Sequence, residues 1–531
     1  MKWFGMCFDF FMIRFLKVST LFFNRVLMLA AVALCAQGTA RASTNYAASV
    51  SFADVSAAIN AAAPGDTVVM PPGTAQWTVP FSFQGIHLIG SGTSQTIIVD
   101  AMDRNQYSQS PLIVLHGSTS AAEMANFQIT RVGTTLNYKG AIGCDAASPV
   151  RIHNVFFNGH PEKNLFLTGA NATLVDHCLF WFRGIALEIH DTGYGDAAFA
   201  SPANYGSQAF PFIEDCVFSN LNSDLSLATS VLDAEAGGKM VFRHNTVYNS
   251  FYANHGTETG GRFRGCRAFE IYSNTFSYPQ AAYAPWAIFV RSGCGVVFGN
   301  TSSGQQTFVG VSNYRDFERF APFGGADGFG PWDNVLATNV LVGTHQGANG
   351  VTYLEVPGAN WPINQWYGYT VLNQDYFDSK YNFAIIRSNS PTRIFFSGTR
   401  NNTGTMTFSN GQHFVLNQIY PMLDQPGRGS GDLVSGDMQP WGLDPYNTVT
   451  GVPSWPRQAN EGIYSWNNTL NGQPANISSD LPNIQNGRDF FNNTPKPGYT
   501  PYTYPHPMQG SGSATNLTAQ LLPPARVWVQ Q

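Results

Sequence analysis

The chain has 531 residues, of which 11% are charged and 14% aromatic, with 52 glycines, 31 prolines and a formal net charge of −5. So few charges leave little with which to coat long solvent-facing helices, while strand and turn formers abound. The absence of a basic excess speaks against a nucleic-acid partner. A hydrophobic content of 44% excludes a disordered chain, and the length allows one large domain or two to three ordinary ones.

At the N-terminus Arg14, Lys17 and Arg25 precede the apolar run Val26–Ala36, and Ala40-Arg41-Ala42 follows as a small-residue cleavage site. This is the pattern of an export signal over residues 1–42. The run is too short to cross a bilayer, so no stable membrane anchor is expected after cleavage, and the protein is expected in the periplasm or outside the cell. Cys7 and Cys35 fall within this segment. The remaining Cys144, Cys178, Cys216, Cys266 and Cys294 are odd in number and widely spaced, which suits buried thiols better than a disulfide framework or a zinc site.

Residues 51–67 carry one amphipathic helix, with Phe52, Val55, Ala58 and Ile59 on one stripe and Pro64-Gly65-Asp66 ending it. A short strand and the turn Pro71-Pro72-Gly73-Thr74 follow. A helix placed there suits a cap over the open edge of stacked strands. Next, Asn or Cys recurs with an apolar residue one or two places on, at Asn126, Asn154, Cys178, Cys216, Asn245, Asn274 and Asn300. The spacings are 28, 24, 38, 29, 29 and 26 residues. Periods of that size denote a solenoid. Each unit consists of short strand-like runs with no helix between them, which excludes helical and leucine-rich repeats and predicts a parallel β-helix over 43–310. Stacked coils would set the Asn side chains about 4.8 Å apart, close enough for a hydrogen-bonded ladder.

The segment Ala57–Thr74 and the coils around Asn245 (FRHNTVYNS) and Asn274 (EIYSNTFSY) resemble the pectate-lyase-like right-handed parallel β-helix superfamily over residues of about 50–310. The resemblance implies an all-β, right-handed solenoid and a polysaccharide partner; the superfamily spans lyases, hydrolases, epimerases and adhesins. Residues 311–415 begin with a glycine-rich loop and continue with hairpin-like strands, predicting an inserted small β module. Residues 416–531, rich in Pro, Asn and aromatics, are expected to run back along the solenoid and cover its last coil. The chain is expected to be a monomer.

Strand alternation within the coils gives the candidate site. In IALEIHD, Leu187 and Ile189 face in, while Glu188 and His190 face out. In SVLDAEAGG, Leu232 and Ala234 face in, and Asp233 and Glu235 face out. In GRFRGC, Phe263 faces in, and Arg262 and Arg264 face out; in IFVRSG, Arg291 faces out. An acidic patch then lies beside a basic one on one outer sheet, with His255, Glu258 and Arg267 supplied by neighbouring turns. This suits β-elimination on a uronic acid, in which the sugar carboxylate must be neutralised and the C5 proton removed. The resemblance implies calcium held by acidic residues and an Arg or Lys base. On it Asp233 and Glu235 are metal ligands, Arg264 or Arg262 the base, and Arg291 a carboxylate clamp. By their place on the same face and turns, Glu188, His190 and Arg267 are further candidate substrate contacts. Arginine resists deprotonation, so His255 rivals it as base. The alternative is an ion-pair ladder between coils without chemistry, in a glycan-binding or adhesion protein. A glycoside hydrolase with two of these carboxyls is a third reading. His116, His153, His160 and His177 read as structural, as does the polar turn of Asp424, Arg428 and Asp432. Trp181, Trp286, Trp332, Trp361 and Trp366 read as packed side chains or sugar-stacking platforms.

Overall fold

The structure is a computed structural model that describes residues 42–133, 139–145, 149–161, 163–169, 172–193, 195–221, 229–256, 264–278, 285–312, 339–375, 383–396, 406–417, 424–431, 438–439, 442–443, 458–479 and 484–511. It is nearly all β, and parallel pairing dominates. The amphipathic segment forms a helix over Phe52–Asn60, capped by the Ser51 hydroxyl, which accepts from the Asp54 N–H. Its buried Val55 and Ile59 close one end of the main core. The Trp77 indole donates to the Val50 carbonyl at 3.0 Å and meets Phe52 edge-on.

From there each repeat contributes three strands, and each strand pairs in parallel with its counterpart one repeat later. The first ladder runs through Thr173–Asp176, Phe212–Glu214, Lys239–Arg243, Ala268–Tyr272 and Cys294–Phe298. A second runs through Leu179–Phe182, Val217–Asn220, Thr246–Tyr248, Thr275–Ser277 and Thr301–Ser303. The third begins at Phe81–Gln84 and includes Leu165–Thr168, Leu187–His190 and Leu232–Glu235. It is continued by Tyr252–Ala253, Trp286–Val290 and Thr307–Val311, reached through the Ser230–Phe251 bridge. Side chains inside stack coil on coil, as Phe157, Phe180 and Phe218 do at ring separations of 4.5 and 4.7 Å.

The corner between the first two ladders holds the repeat's polar spine. The Cys216 N–H donates to Asn245 Oδ1, the Asn245 N–H to Asn274 Oδ1, and the Asn274 N–H to Asn300 Oδ1, each at 2.9–3.0 Å. The residue before each rung takes a left-handed backbone: His177, Asp215, His244, Ser273 and Gly299. Asn126 and Asn154 do not belong to this spine, contrary to the sequence frame. They occupy the left-handed position itself, and Val155 rather than Asn154 precedes the residue paired with Leu179. Asparagine tolerates that backbone better than most residues, so two different demands put Asn one place apart in the repeat.

The parallel ladders do not end near residue 310. After Thr307–Val311 the chain builds a six-stranded antiparallel sheet over residues 339–417, with its own core of Leu354, Trp366, Ile386, Ile394, Phe408 and Leu416. It then returns to add another coil: Ile463–Trp466 pairs with Cys294–Phe298, Asn468–Leu470 with Thr301–Ser303, and Ile477–Ser478 with Thr307–Val311. Asn468 extends the spine, accepting from the Asn300 N–H at 3.0 Å. The last described segment runs back over the earlier coils. Tyr499 donates to Glu270, Arg243 donates to the carbonyls of Tyr502 and Thr503, and the His506 N–H donates to Glu214. No helix among the described residues is long and apolar enough to cross a membrane.

Candidate functional site

Alternation along the third ladder does the positioning. Leu187, Ile189, Leu232 and Ala234 fill the main core, which turns Glu188, His190, Asp233 and Glu235 to the other face. Parallel register sets Glu188 beside Asp233 and His190 beside Glu235. Three of them are covered rather than displayed, Glu188 and Asp233 at 5% exposed each and His190 at 9%, while Glu235 is partly exposed.

His190 Nε2 lies 2.9 Å from Glu188 Oε1 and 3.0 Å from Glu235 Oε1. Burial disfavours its charged form, yet hydrogen bonds to the two carboxylates outweigh this and hold its pKa above the ordinary imidazole value. Burial likewise pushes the Glu235 carboxyl up, but His190 and then His255 bring it below the usual range. Lys163, one coil earlier, pairs with Glu188 Oε2.

The coil after Asp233 and Glu235 is the one that ends at His255. Val231 N–H donates to the Phe251 carbonyl and His255 N–H to the Ala234 carbonyl, both at 2.9 Å. His255 Nδ1 lies 2.6 Å from Asp233 Oδ2 and 3.8 Å from Glu235 Oε2. Burial opposes its protonation, but the Asp233 charge raises the pKa above the ordinary value. Arg291, from the next coil, has its Nη2 3.6 Å from Asp233 Oδ1, while its Nε donates to the Asn254 carbonyl at 2.6 Å. The seven side chains from Lys163 to Arg291 thus form one polar row across five coils.

Two arginines expected beside the acids are elsewhere. Arg264 is fully buried, its Nη2 2.7 Å from Asp424 Oδ1 and its guanidinium 4.2 Å over the Phe199 ring. Arg267 is also fully buried; its Nη1 is 2.9 Å from Glu461 Oε2, and its Nε donates to the Ala198 carbonyl. Both tie the parallel ladders to the short helix Asp196–Phe199 and to the returning chain. A guanidinium locked to a carboxylate in this way is poorly placed to act as a base. The misplacement has a simple origin. Alternation read from the sequence places the strand immediately before Asn274, whereas the third-ladder strand of that coil lies earlier, at Tyr252–Ala253. Arg262 and Glu258 lie outside the described residues, as do Trp332 and Asp432. Trp366 packs in the core of the antiparallel module. Lys163 was not legible, because the register one repeat back from Glu188 leads to Phe166, and Lys163 lies before the strand Leu165–Thr168, where alternation does not mark it.

No protein-family model matches the sequence, and no curated protein matches it. Among solved structures, the chain is similar to a PL6 family alginate lyase at 12% identity and a TM-score of 0.29, over 51% of this chain and 41% of that one. It is similar to a PL6 family polysaccharide lyase from Pseudopedobacter saltans at 13% identity and a TM-score of 0.28, over 50% of this chain and 65% of that one. It is also similar to the ORF18 protein of Geobacillus virus E2 at 13% identity and a TM-score of 0.24, over 73% and 76% of the two chains. The chain therefore spans less than two thirds of the length of both lyases.

Proposed function

We propose that the stacked ladders are turns of a right-handed parallel β-helix, and that the protein is an exported lyase cleaving an acidic, uronate-containing polysaccharide by β-elimination. The observation that supports this most is the pairing of His255 with Asp233 beside Arg291. Asp233 against Nδ1 favours the tautomer with the proton on that nitrogen, so the lone pair of the neutral imidazole lies on Nε2. In this reading Nε2 takes the C5 proton, the C5–H electrons become the C4–C5 double bond, and the C4–O bond breaks. The departing oxygen gains a proton from solvent. Arg291 pairs with the sugar carboxylate and so acidifies C5.

A divalent cation fits the neighbouring cluster. Glu188, His190 and Glu235 offer ligand atoms that all lie within 4.8 Å of one another, and carboxylate oxygens suit calcium while an added imidazole suits a transition metal. Glu235 belongs to this set, whereas Asp233 is engaged by His255 and Arg291. A cation bound there would supply further positive charge for the uronate carboxylate. His190 must release its proton to become a ligand, so affinity would rise with pH.

The test is incubation with a panel of uronate polymers, with added calcium or chelator, following the ultraviolet absorbance of the unsaturated product. A rise abolished by His255→Ala and by Asp233→Ala supports elimination. New reducing ends without that absorbance would indicate a hydrolase. Retention on a polymer without turnover would favour glycan binding alone, a reading supported by the way the charges of the row already pair with one another.

A further inference from the structure

Beyond Arg291 the third-ladder face changes character. A groove of about 870 Å³ opens over the coils of Tyr252–Ala253, Trp286–Val290, Thr307–Val311 and Ile477–Ser478. Phe251, Trp286 and Phe289 form its apolar floor, Arg291 stands at the end nearest Asp233, and Ser230 and Ser478 contribute hydroxyls. Trp286 and Phe289 stack at 4.0 Å with their planes 13° apart. Gly310 pairs with Phe289 in the ladder, and a Cβ on it would come within 2.3 Å of the Trp286 ring. Its backbone is ordinary strand, so the missing side chain is explained by room for the indole.

We infer that this groove is the binding cleft for the stretch of acidic polysaccharide on one side of the reacting sugar, with pyranose C–H faces on Trp286 and Phe289 and the reacting sugar's carboxylate on Arg291 at its end. The inference rests on the lyase reading for its orientation, not for its occupant. Three features select a uronate glycan. The groove is continuous with the polar row through Arg291. Its floor is aromatic with a hydroxyl rim, the combination suited to a ring that is apolar on its faces and polar at its edges. Its coils repeat about every 4.8 Å, close to the advance of one pyranose along an extended chain, so successive coils meet successive sugars.

Calorimetric titration of the His255→Ala protein with oligogalacturonates and oligomannuronates of increasing length, and with neutral cello-oligosaccharides, tests this. Affinity for one uronate series should grow with length, and the neutral series should bind more weakly. Trp286→Ala and Gly310→Val, which respectively remove and displace the indole, should each lower affinity roughly tenfold, equivalent to about 1.4 kcal/mol, with both variants still fully folded by circular dichroism at the titration temperature. Unaltered affinity in both variants, equal binding of neutral chains, or no binding by any oligomer overturns the inference. Trp286-dependent binding without product absorbance from the wild-type protein keeps the cleft and rejects the lyase. Product absorbance with Trp286-independent binding does the reverse.

Discussion

Replacing Asn274 by alanine tests whether the polar spine holds the coils together. Asn274 is 1% exposed. Its Oδ1 accepts from Asn245 N and Nδ2 at 2.9 and 3.1 Å, and its Nδ2 donates to the Phe242 carbonyl at 2.8 Å and to Asn300 Oδ1 at 3.0 Å. Alanine leaves the Asn245 N–H without its acceptor, at about 1–3 kcal/mol, and removes further bonds contributing about 0.5–1.5 kcal/mol each. Because these losses share neighbours they do not simply add, and the expected cost is about 3–5 kcal/mol. Cysteine should cost roughly half of that, because the spine already uses it: Cys216 Sγ accepts from the Cys178 N–H at 3.4 Å. Urea unfolding followed by far-ultraviolet circular dichroism reads this as a lower midpoint at unchanged slope. A midpoint for Asn274→Ala matching wild type to within about 0.5 kcal/mol, or a cysteine variant no better than alanine, refutes the argument.

Asp424→Ala should destabilise by about 3–5 kcal/mol by stranding the buried Arg264 charge, measured in the same unfolding experiment. If His255 is the base, kcat/KM should rise with pH through a value above 6.5, because the folded pKa is raised. Asp233→Asn should move that limb downward, and an unmoved limb rejects the assignment. His506 behaves oppositely: burial, then the nearby Arg243 charge, pushes its pKa down to about 4. The unfolded chain then binds its proton first, so stability present above about pH 6.5 is lost as pH falls toward 4, by up to about 3 kcal/mol at 1.36 kcal/mol per unit. His506→Gln should flatten that part of the stability–pH curve.

The inward and outward faces of Leu187–His190 and Leu232–Glu235 were legible because alternation in a half-covered strand is a local property. The five buried thiols were legible for a similar reason: none has a partner spacing that a disulfide or metal site would need. The place of Arg264 was not legible, because it depends on how far the chain wanders between strands of one coil, and the residues that separate Tyr252–Ala253 from Ala268–Tyr272 carry no periodic mark. Its partner Asp424 lies 160 residues away, and no local pattern announces such a pair. Asn468 was missed for the same reason: its rung follows Asn300 in space after an excursion of 168 residues. The acceptor role of Asp233 toward His255 needed the correct neighbour for its coil, which alternation alone does not supply.

The return of Ile463–Ser478 onto Cys294–Val311 has a consequence for biogenesis. During synthesis the edge of the Cys294–Val311 coil stays bare until the chain beyond Ile463 emerges, on the order of ten seconds at about 5–20 residues per second. An uncovered parallel edge invites a strand from another nascent copy, and the natural intruder is that copy's own Ile463–Ser478. The antiparallel module, with its separate core and sequence-local pairings, can fold within that interval and shorten the distance the returning segment must search. Its removal should therefore show up first as strand-exchanged oligomers and slow recovery of the unexchanged fold after refolding.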